Sequence, residues 1–302
     1  MKIIDFHSHF FARPFFEALA AQSPLPGDPE EKLAVIRRTG IELPPADVKA
    51  HLARWVDDLD TKGVAHLVTF ASLPEEIPAV AEATRLADGR ITPVALVNPR
   101  APDSGTRVEG LMDVQGFAGV LVFPALHHFH IAGQESRAML QALDARRGII
   151  YVHCGLLVVK LRDLLGLPRV YDLSFANPLG VIPAANAFPN CKFVIPHFGA
   201  GFLRETLLAG AQCENVFVDT SSSNNWVKTQ VPKIGLKDVF ARALDVFGAS
   251  RILFGTDSNV FPAGWRRDRL EDQKATLDGL GLPEAEQERI FAGNALRLLR
   301  RE

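Results

Sequence analysis

The feature that most constrains the fold is a rhythm of eight short apolar runs separated by longer amphipathic stretches. The runs span residues 3–6, 66–70, 92–97, 119–123, 149–153, 193–197, 216–219 and 252–255. They have strand length and are rich in β-branched or aromatic residues. Helix-like segments lie between them, for example 77–87, 134–146, 202–211 and 236–247. Strands alternating with helices predict a parallel sheet, and eight such units predict a closed barrel. The structural rival is an open doubly wound sheet, but no GxGxxG follows the first strand to support its nucleotide-binding version. A chain of 302 residues suits a single (β/α)8 barrel domain spanning 1–302.

Two segments interrupt or end the rhythm. Residues 10–46 carry Pro24, Pro26, Gly27 and Pro29 and read as an irregular excursion beyond the first strand. A helix is expected from about Asp47, with Val48, Leu52, Trp55, Val56 and Leu59 on one face and Gly63 as its stop. The C-terminal segment opens at Pro283 with Glu284 and Glu286 and closes with Arg297, Arg300 and Arg301, the charge order that complements a helix dipole. Ile290, Phe291, Leu298 and Leu299 supply its apolar side.

In a parallel barrel the chemistry sits where strands end. Along a strand, residues i and i+2 share a side, so His7 and His9 aim two imidazoles at one point. Strand five ends in His153, strand six in His197, and strand eight runs into Asp257. A satisfied core histidine is the ordinary fate of any one of these. Four histidines and an aspartate at four strand ends form a donor set for a divalent metal, suited to Zn²⁺ and also to Mn²⁺ or Fe²⁺. Asp5 fits either a buried acceptor beside that set or a plain strand residue.

The motifs Ile4-Asp5-Phe6-His7-Ser8-His9-Phe10, Val152-His153-Cys154-Gly155 and His197-Phe198-Gly199-Ala200-Gly201 occur in that order. Phe217-Val218-Asp219-Thr220-Ser221, Ile252-Leu253-Phe254-Gly255-Thr256-Asp257 and Gly293-Asn294-Ala295-Leu296-Arg297-Leu298 follow. Together they resemble the amidohydrolase superfamily, in its amidohydrolase-2 branch, along the length of the chain. The resemblance implies a distorted TIM barrel with a metal at its mouth. It also implies hydrolysis, or non-oxidative decarboxylation, of a small and often aromatic or unsaturated acid. Two-metal members of the superfamily bridge their ions with a carboxylated lysine or another anionic side chain from strand four. Here that strand reads Gly119-Val120-Leu121-Val122-Phe123-Pro124, and no lysine occurs between Lys62 and Lys160. One metal ion is therefore expected, held by His7, His9, His153 and Asp257. His197 would orient or deprotonate a water, and Asp257 would also shuttle the proton.

Substrate-contacting candidates are Arg13, Phe123, Arg162, Trp226 and Asn259, with Phe261 beside the last. An arginine would pair with a carboxylate. Ser221-Ser222-Ser223-Asn224-Asn225 offers hydroxyls and amides after strand seven, or simply turns the chain. His127, His128 and His130 suggest a further metal or anion contact, but a polar loop at the rim explains them as well.

The net charge of −2 gives no argument for nucleic acid or an anionic membrane as partner. Three widely spaced cysteines without a CxxC suit a reducing cytosol. No signal-peptide pattern precedes Asp5, and the uncharged stretches are broken by Pro, Gly, His or Asn. The expectation is a cytoplasmic enzyme with a small-molecule substrate, a homodimer by resemblance. The leading reading is a mononuclear hydrolase of a C–N or C–O bond, and the alternative is a decarboxylase on the same metal.

Overall fold

Eight strands lie side by side in chain order: β1 (Ile4–His9), β2 (His66–Ala71), β3 (Ile91–Leu96), β4 (Gly119–Val122), β5 (Ile149–Val152), β6 (Lys192–Ile195), β7 (Val216–Asp219) and β8 (Ile252–Leu253). The structure is a computed structural model and describes residues 1–221 and 226–300. Ser222, Ser223, Asn224, Asn225 and Arg301, named above, lie outside the described residues. Every ladder from β1–β2 to β7–β8 is parallel. The last seam is irregular. Phe6 N–H donates to Phe254 O (2.8 Å), His9 N–H to Ser258 O (2.7 Å) and Asp257 N–H to His7 O (2.9 Å). The sheet thereby curls nearly shut into a (β/α)8 barrel.

Side chains alternate across the sheet as the two-residue strand period requires. Phe70, Leu121, Tyr151 and Phe217 fill the barrel interior, while Leu67, Val120, Ile150 and Val216 pack outward against the helices. Ala292 and Ala295 of the C-terminal segment plug the interior from below. That segment is a helix (Glu284–Glu288), a π-turn (Arg289–Gly293) and a second helix (Asn294–Leu299). The buried Asn294 amide donates to Ala249 O (2.7 Å) and Ile252 O (2.8 Å), tying it to the edge of β8.

The helix after the excursion runs Val48–Lys62, with Asp47 accepting from Lys49 N–H at its start and Gly63 left-handed (φ 72°) at its end. The excursion itself is not irregular. It carries two helices, Arg13–Gln22 and Pro29–Arg37. Of the prolines that suggested a loop, Pro29 starts a helix within the capping box Asp28-Pro29-Glu30-Glu31, while Pro24 and Pro26 stay in the link; Pro14 lies in the first turn of the other helix. Phe15, Phe16 and Leu19 of the first helix join Leu33 and Ile36 of the second in a separate small core. Leu161, Leu165 and Leu167, from the loop after β5, complete it. Two crossovers thus share one apolar cap over the mouth. All three cysteines are free and buried. Among the described residues no helix is long and apolar enough to cross a membrane.

Candidate metal centre

The geometry at the mouth begins with a fault in β1. Ile4 pairs with His66 and Asp5 with Leu67, but Ser8 pairs with Thr69, so three residues of β1 advance against two of β2. This bulge reverses the parity of the strand. Ile4 and Phe6 face the interior below it, and His7 and His9 face the same space above it. Asp5 holds the bulge from behind. Its carboxyl accepts from His7 N–H (2.9 Å), Thr256 N–H (3.2 Å) and Trp265 Nε1–H (2.8 Å). Burial pushes this carboxyl up to about 6, against those hydrogen bonds.

Two imidazoles are held by one nitrogen and directed by the other. His7 Nδ1 lies 2.7 Å from Asp219 Oδ2, and His9 Nδ1 lies 2.8 Å from Ser72 Oγ. Their Nε2 atoms then converge on Asp257 Oδ1, at 3.6 Å for His7 and 3.2 Å for His9. An imidazole tied at Nδ1 and aimed through Nε2 is the arrangement a metal-binding histidine requires. His7, His9 and Asp257 each place a donor atom within 4.8 Å of the others. A second such triplet, His7, His197 and Asp219, has a different character. Asp219 is fully buried and its oxygens are already engaged by His7 Nδ1, His197 N–H (3.0 Å), Ser221 N–H (3.0 Å) and the Ser221 hydroxyl. It orients the His7 ring and anchors the His197 backbone and Ser221.

His197 stands beside His7, with ring centroids 4.7 Å apart, and bonds through Nδ1 to Ser221 Oγ (2.8 Å). His153 is one step further out, its ring 5.1 Å from that of His197, and its buried Nδ1 has no hydrogen-bond partner. It belongs to neither triplet, so of the five sequence candidates it is the one not drawn into the tight cluster. Burial and then the charges of His197 and His7 hold His153 well below the usual imidazole range. His197 and His9 are likewise lowered, chiefly by burial. Burial also opposes the charge on His7, but Asp219 beside it wins and raises it. Burial alone would raise Asp257; the hydrogen bond from His9 and the charges of His7 and His197 keep its carboxyl far below the usual range.

The backbone is strained where these groups are presented. His197, Phe198, Gly199, Ala200 and Gly201 all have positive φ, at 57°, 51°, 84°, 44° and 109°, and Asp257 has φ 61°. Left-handed conformations cost L-residues about 1–2 kcal/mol each, so packing and hydrogen bonds must hold them. Gly155 and Gly255 allow the close approach. A Cβ on Gly255 would lie 2.8 Å from His7 Cβ, and one on Gly155 would lie 2.3 Å from the Gly199 and Ala200 carbonyl oxygens.

These groups form the polar floor of a cavity of about 530 Å³ whose walls are mostly apolar. Phe123, Trp226 and Asn259 line it. Arg13 does not, being committed to Glu17 (2.9 Å) within its own helix. Arg162 does not either; its Nε is buried on the far side of the wall, near His127 and Tyr171. Phe261 packs under Arg54 (3.9 Å) and against Trp55, outside the cavity. His128 bonds Val170 O (2.5 Å), and His128 and His130 both pack on Phe175, so the histidine loop spreads its rings over the rim instead of converging them. Asp219 and Ser72 had no assigned role in the sequence. Asp219 was findable as the last residue of strand seven, whereas nothing local marks Ser72.

Comparison with known proteins fits this geometry. The amidohydrolase family model matches residues 4–301. No curated protein matches the sequence. Among solved structures, an uncharacterised TIM-barrel protein from Bordetella bronchiseptica aligns at TM-score 0.67 and 19% identity over 99% of both chains. The 5-carboxyvanillate decarboxylase of Novosphingobium aromaticivorans, complexed with manganese, aligns at TM-score 0.64 and 14% identity, covering 99% of this chain and 96% of that one. A protein assigned as a 2-pyrone-4,6-dicarboxylic acid hydrolase from Pseudomonas putida aligns at TM-score 0.63 and 18% identity, covering 100% and 98%. At these identities the structural likeness speaks for the fold, and the family model, together with the ordered motifs, speaks for kinship: the chain belongs to the amidohydrolase family, in its amidohydrolase-2 branch.

Proposed function

We propose that this enzyme hydrolyses a C–O or C–N bond in a small, largely apolar, ring-bearing molecule. The observation that carries the reading is the contrast within one cavity, where two imidazole Nε2 atoms and an ionised carboxylate meet on the floor beneath apolar walls. His7, His9 and Asp257 would hold a single divalent ion, with His153 as the outlying fourth ligand, and imidazole-rich donors favour zinc ahead of manganese or iron. Such an ion, when bound, acts as a Lewis acid and lowers the pKa of its water to about 7.

The remaining chemistry belongs to side chains. Burial keeps His197 neutral near pH 7. With Nδ1 engaged by Ser221, its Nε2 is free to accept a proton from an attacking water and return it to the leaving oxygen or nitrogen. Asp257 stays ionised and offers a second acceptor for that proton. Phe11, Phe15 and Trp226 on the wall suit a flat ring and exclude water from it. Decarboxylation of an aromatic acid is the second reading. Lys160, the one lysine or arginine lining the cavity among the described residues, favours it by offering a partner to a carboxylate.

The test is elemental analysis of unchelated protein, followed by a panel of lactones, amides and aromatic acids scored separately for hydrolysis products and CO₂. The expected result is one metal per chain and hydrolysis that chelation abolishes and added Zn²⁺ or Mn²⁺ restores. Metal-free active protein sinks the mechanism, two metals per chain sink the mononuclear site, and CO₂ without hydrolysis decides for the lyase.

A further inference from the structure

Glu76 follows β2 in a short 3-10 turn and is completely buried. No cation pairs with it among the described residues. One carboxyl oxygen accepts from Ala12 N–H (2.7 Å) and the other from Ser72 N–H (2.7 Å). A buried carboxyl without a cation is costly, and stapling two loops does not by itself require one. What singles out these two anchors is that both lead to His9.

Ser72, held on one side, places its Oγ 2.8 Å from His9 Nδ1. Ala12, held on the other, fixes the chain just after Phe11, whose ring stacks on His9 at 4.7 Å and 23°. Phe11 carries a positive φ of 38°, so its backbone is strained and must be restrained by neighbours. One carboxyl thus governs two of the contacts that orient the His9 ring, one at its edge and one at its face. Ser72 thus holds Nδ1 while Nε2 faces Asp257 Oδ1, 3.2 Å away; a metal ion there would take the Nε2 lone pair and leave Nδ1–H to donate to Ser72.

We infer that Glu76 is a positioning residue for the metal site, setting the aim of the His9 ring through Ser72 and Phe11. A carboxyl side chain offers an oxygen to each of the two backbone N–H groups. Glutamine keeps one and turns an amide N–H₂ against the other backbone N–H; alanine keeps neither. His7 has its own support in Asp219 and should not depend on Glu76. The inference rests on the metal-site reading above, but His9 orientation can be read without metal.

Full-length wild type, Glu76→Gln and Ser72→Ala would be compared by chelator-competition titration with Zn²⁺ and Mn²⁺, and by ¹⁵N chemical shifts of the His7 and His9 rings in metal-free protein. Loss of such support typically costs a metal site about 10–100-fold in affinity. Both variants should weaken binding by that factor and move the His9 ¹⁵N shifts away from their wild-type values, while His7 shifts stay in place. A purely structural staple would lower thermal stability and leave the His9 shifts and metal affinity alone. Folded variants with affinity within about twofold of wild type and unchanged His9 shifts overturn the inference. If Glu76→Gln fails to fold, Glu76→Asp, whose shorter side chain cannot span both backbone N–H groups, decides by the same two readouts. Wild type that binds no metal would refute the metal reading instead, and the His9 shifts would still judge Glu76.

Discussion

The floor and the walls of the cavity are built on opposite principles. The floor consists of strand ends, and three of its four imidazoles are fastened through Nδ1: His7 to Asp219, His9 to Ser72, His197 to Ser221. Much of the wall comes from two crossovers, residues 10–46 and the loop after β5, which pack on each other in a core separate from the barrel, and Phe123, Trp226 and Asn259 complete it. The floor therefore inherits the rigidity of the sheet, while this part of the wall rests mainly on apolar contact between two excursions. Rigid strand ends suit chemistry that tolerates little displacement, and an independent cap can change without disturbing them.

The largest test of that division is at the floor. His7→Ala removes a metal donor and leaves Asp219 buried without its main partner. Activity should fall at least about a thousandfold, equivalent to about 4 kcal/mol of barrier, with metal content falling in parallel. Activity retained in that variant would move the chemistry to another part of the molecule. A wall substitution such as Phe15→Ala should leave metal content at wild-type level, and loss of metal there would show that floor and walls are not independent.

Glu76 lies at the joint between the two regions, and it predicts a pH signature. Burial, against its backbone hydrogen bonds, raises its carboxyl from 4.5 to about 8. Between those values the folded protein keeps a proton that the unfolded chain has released. The stability this group contributes is therefore complete below the unfolded pKa and declines as pH rises to about 8. The slope cannot exceed about 1.4 kcal/mol per pH unit. Asp219 and Asp257, with lowered pKa values, act in the opposite sense at more acid pH. Urea unfolding of wild type and Glu76→Gln from pH 5 to 8 isolates the effect. The stability difference should shift in favour of the glutamine variant as pH rises, and a difference independent of pH would contradict the raised carboxyl.

A smaller effect is expected one step behind the floor. Asp219→Asn keeps a single acceptor where the carboxylate serves His7, His197 and Ser221 together. Metal affinity should drop by about 10–100-fold, or about 1.4–2.8 kcal/mol, by calorimetric titration. Unchanged affinity would mean that the Asp219–His7 bond serves folding alone.

The same contrast explains what could be read in advance. The eight strands and the placement of His7, His9, His153, His197 and Asp257 at or just beyond their ends were legible, because a two-residue period and an apolar run are local properties. The bulge at Asp5–Ser8 was not. It arises from pairing with β2 and β8, and it is what lets Phe6 and His7 share the barrel interior. The helices of the excursion were hidden because their starting prolines are also loop signals, and only packing against Leu161 and Leu165 separates the two. Arg13 and Arg162 were drawn toward the pocket by their sequence neighbourhood, yet Glu17 takes the first and burial behind the wall takes the second. Ser72 and Glu76 gave no local sign, since their importance lies in contacts with His9 and Ala12 more than sixty residues away.

The smallest effect concerns the wall and discriminates between the two reactions. Lys160 is exposed, so pairing with a substrate carboxylate would contribute only about 0.2–1 kcal/mol. Lys160→Met should therefore raise KM for carboxylate-bearing substrates by no more than about fivefold and leave KM for neutral lactones or amides unchanged, with kcat constant for both. Higher salt should reduce the wild-type preference in the same direction, because an exposed pair is screened. If Lys160→Met instead lowers kcat for acids by orders of magnitude, the lysine acts on the reacting group, and the wall shares in chemistry that the floor otherwise performs alone.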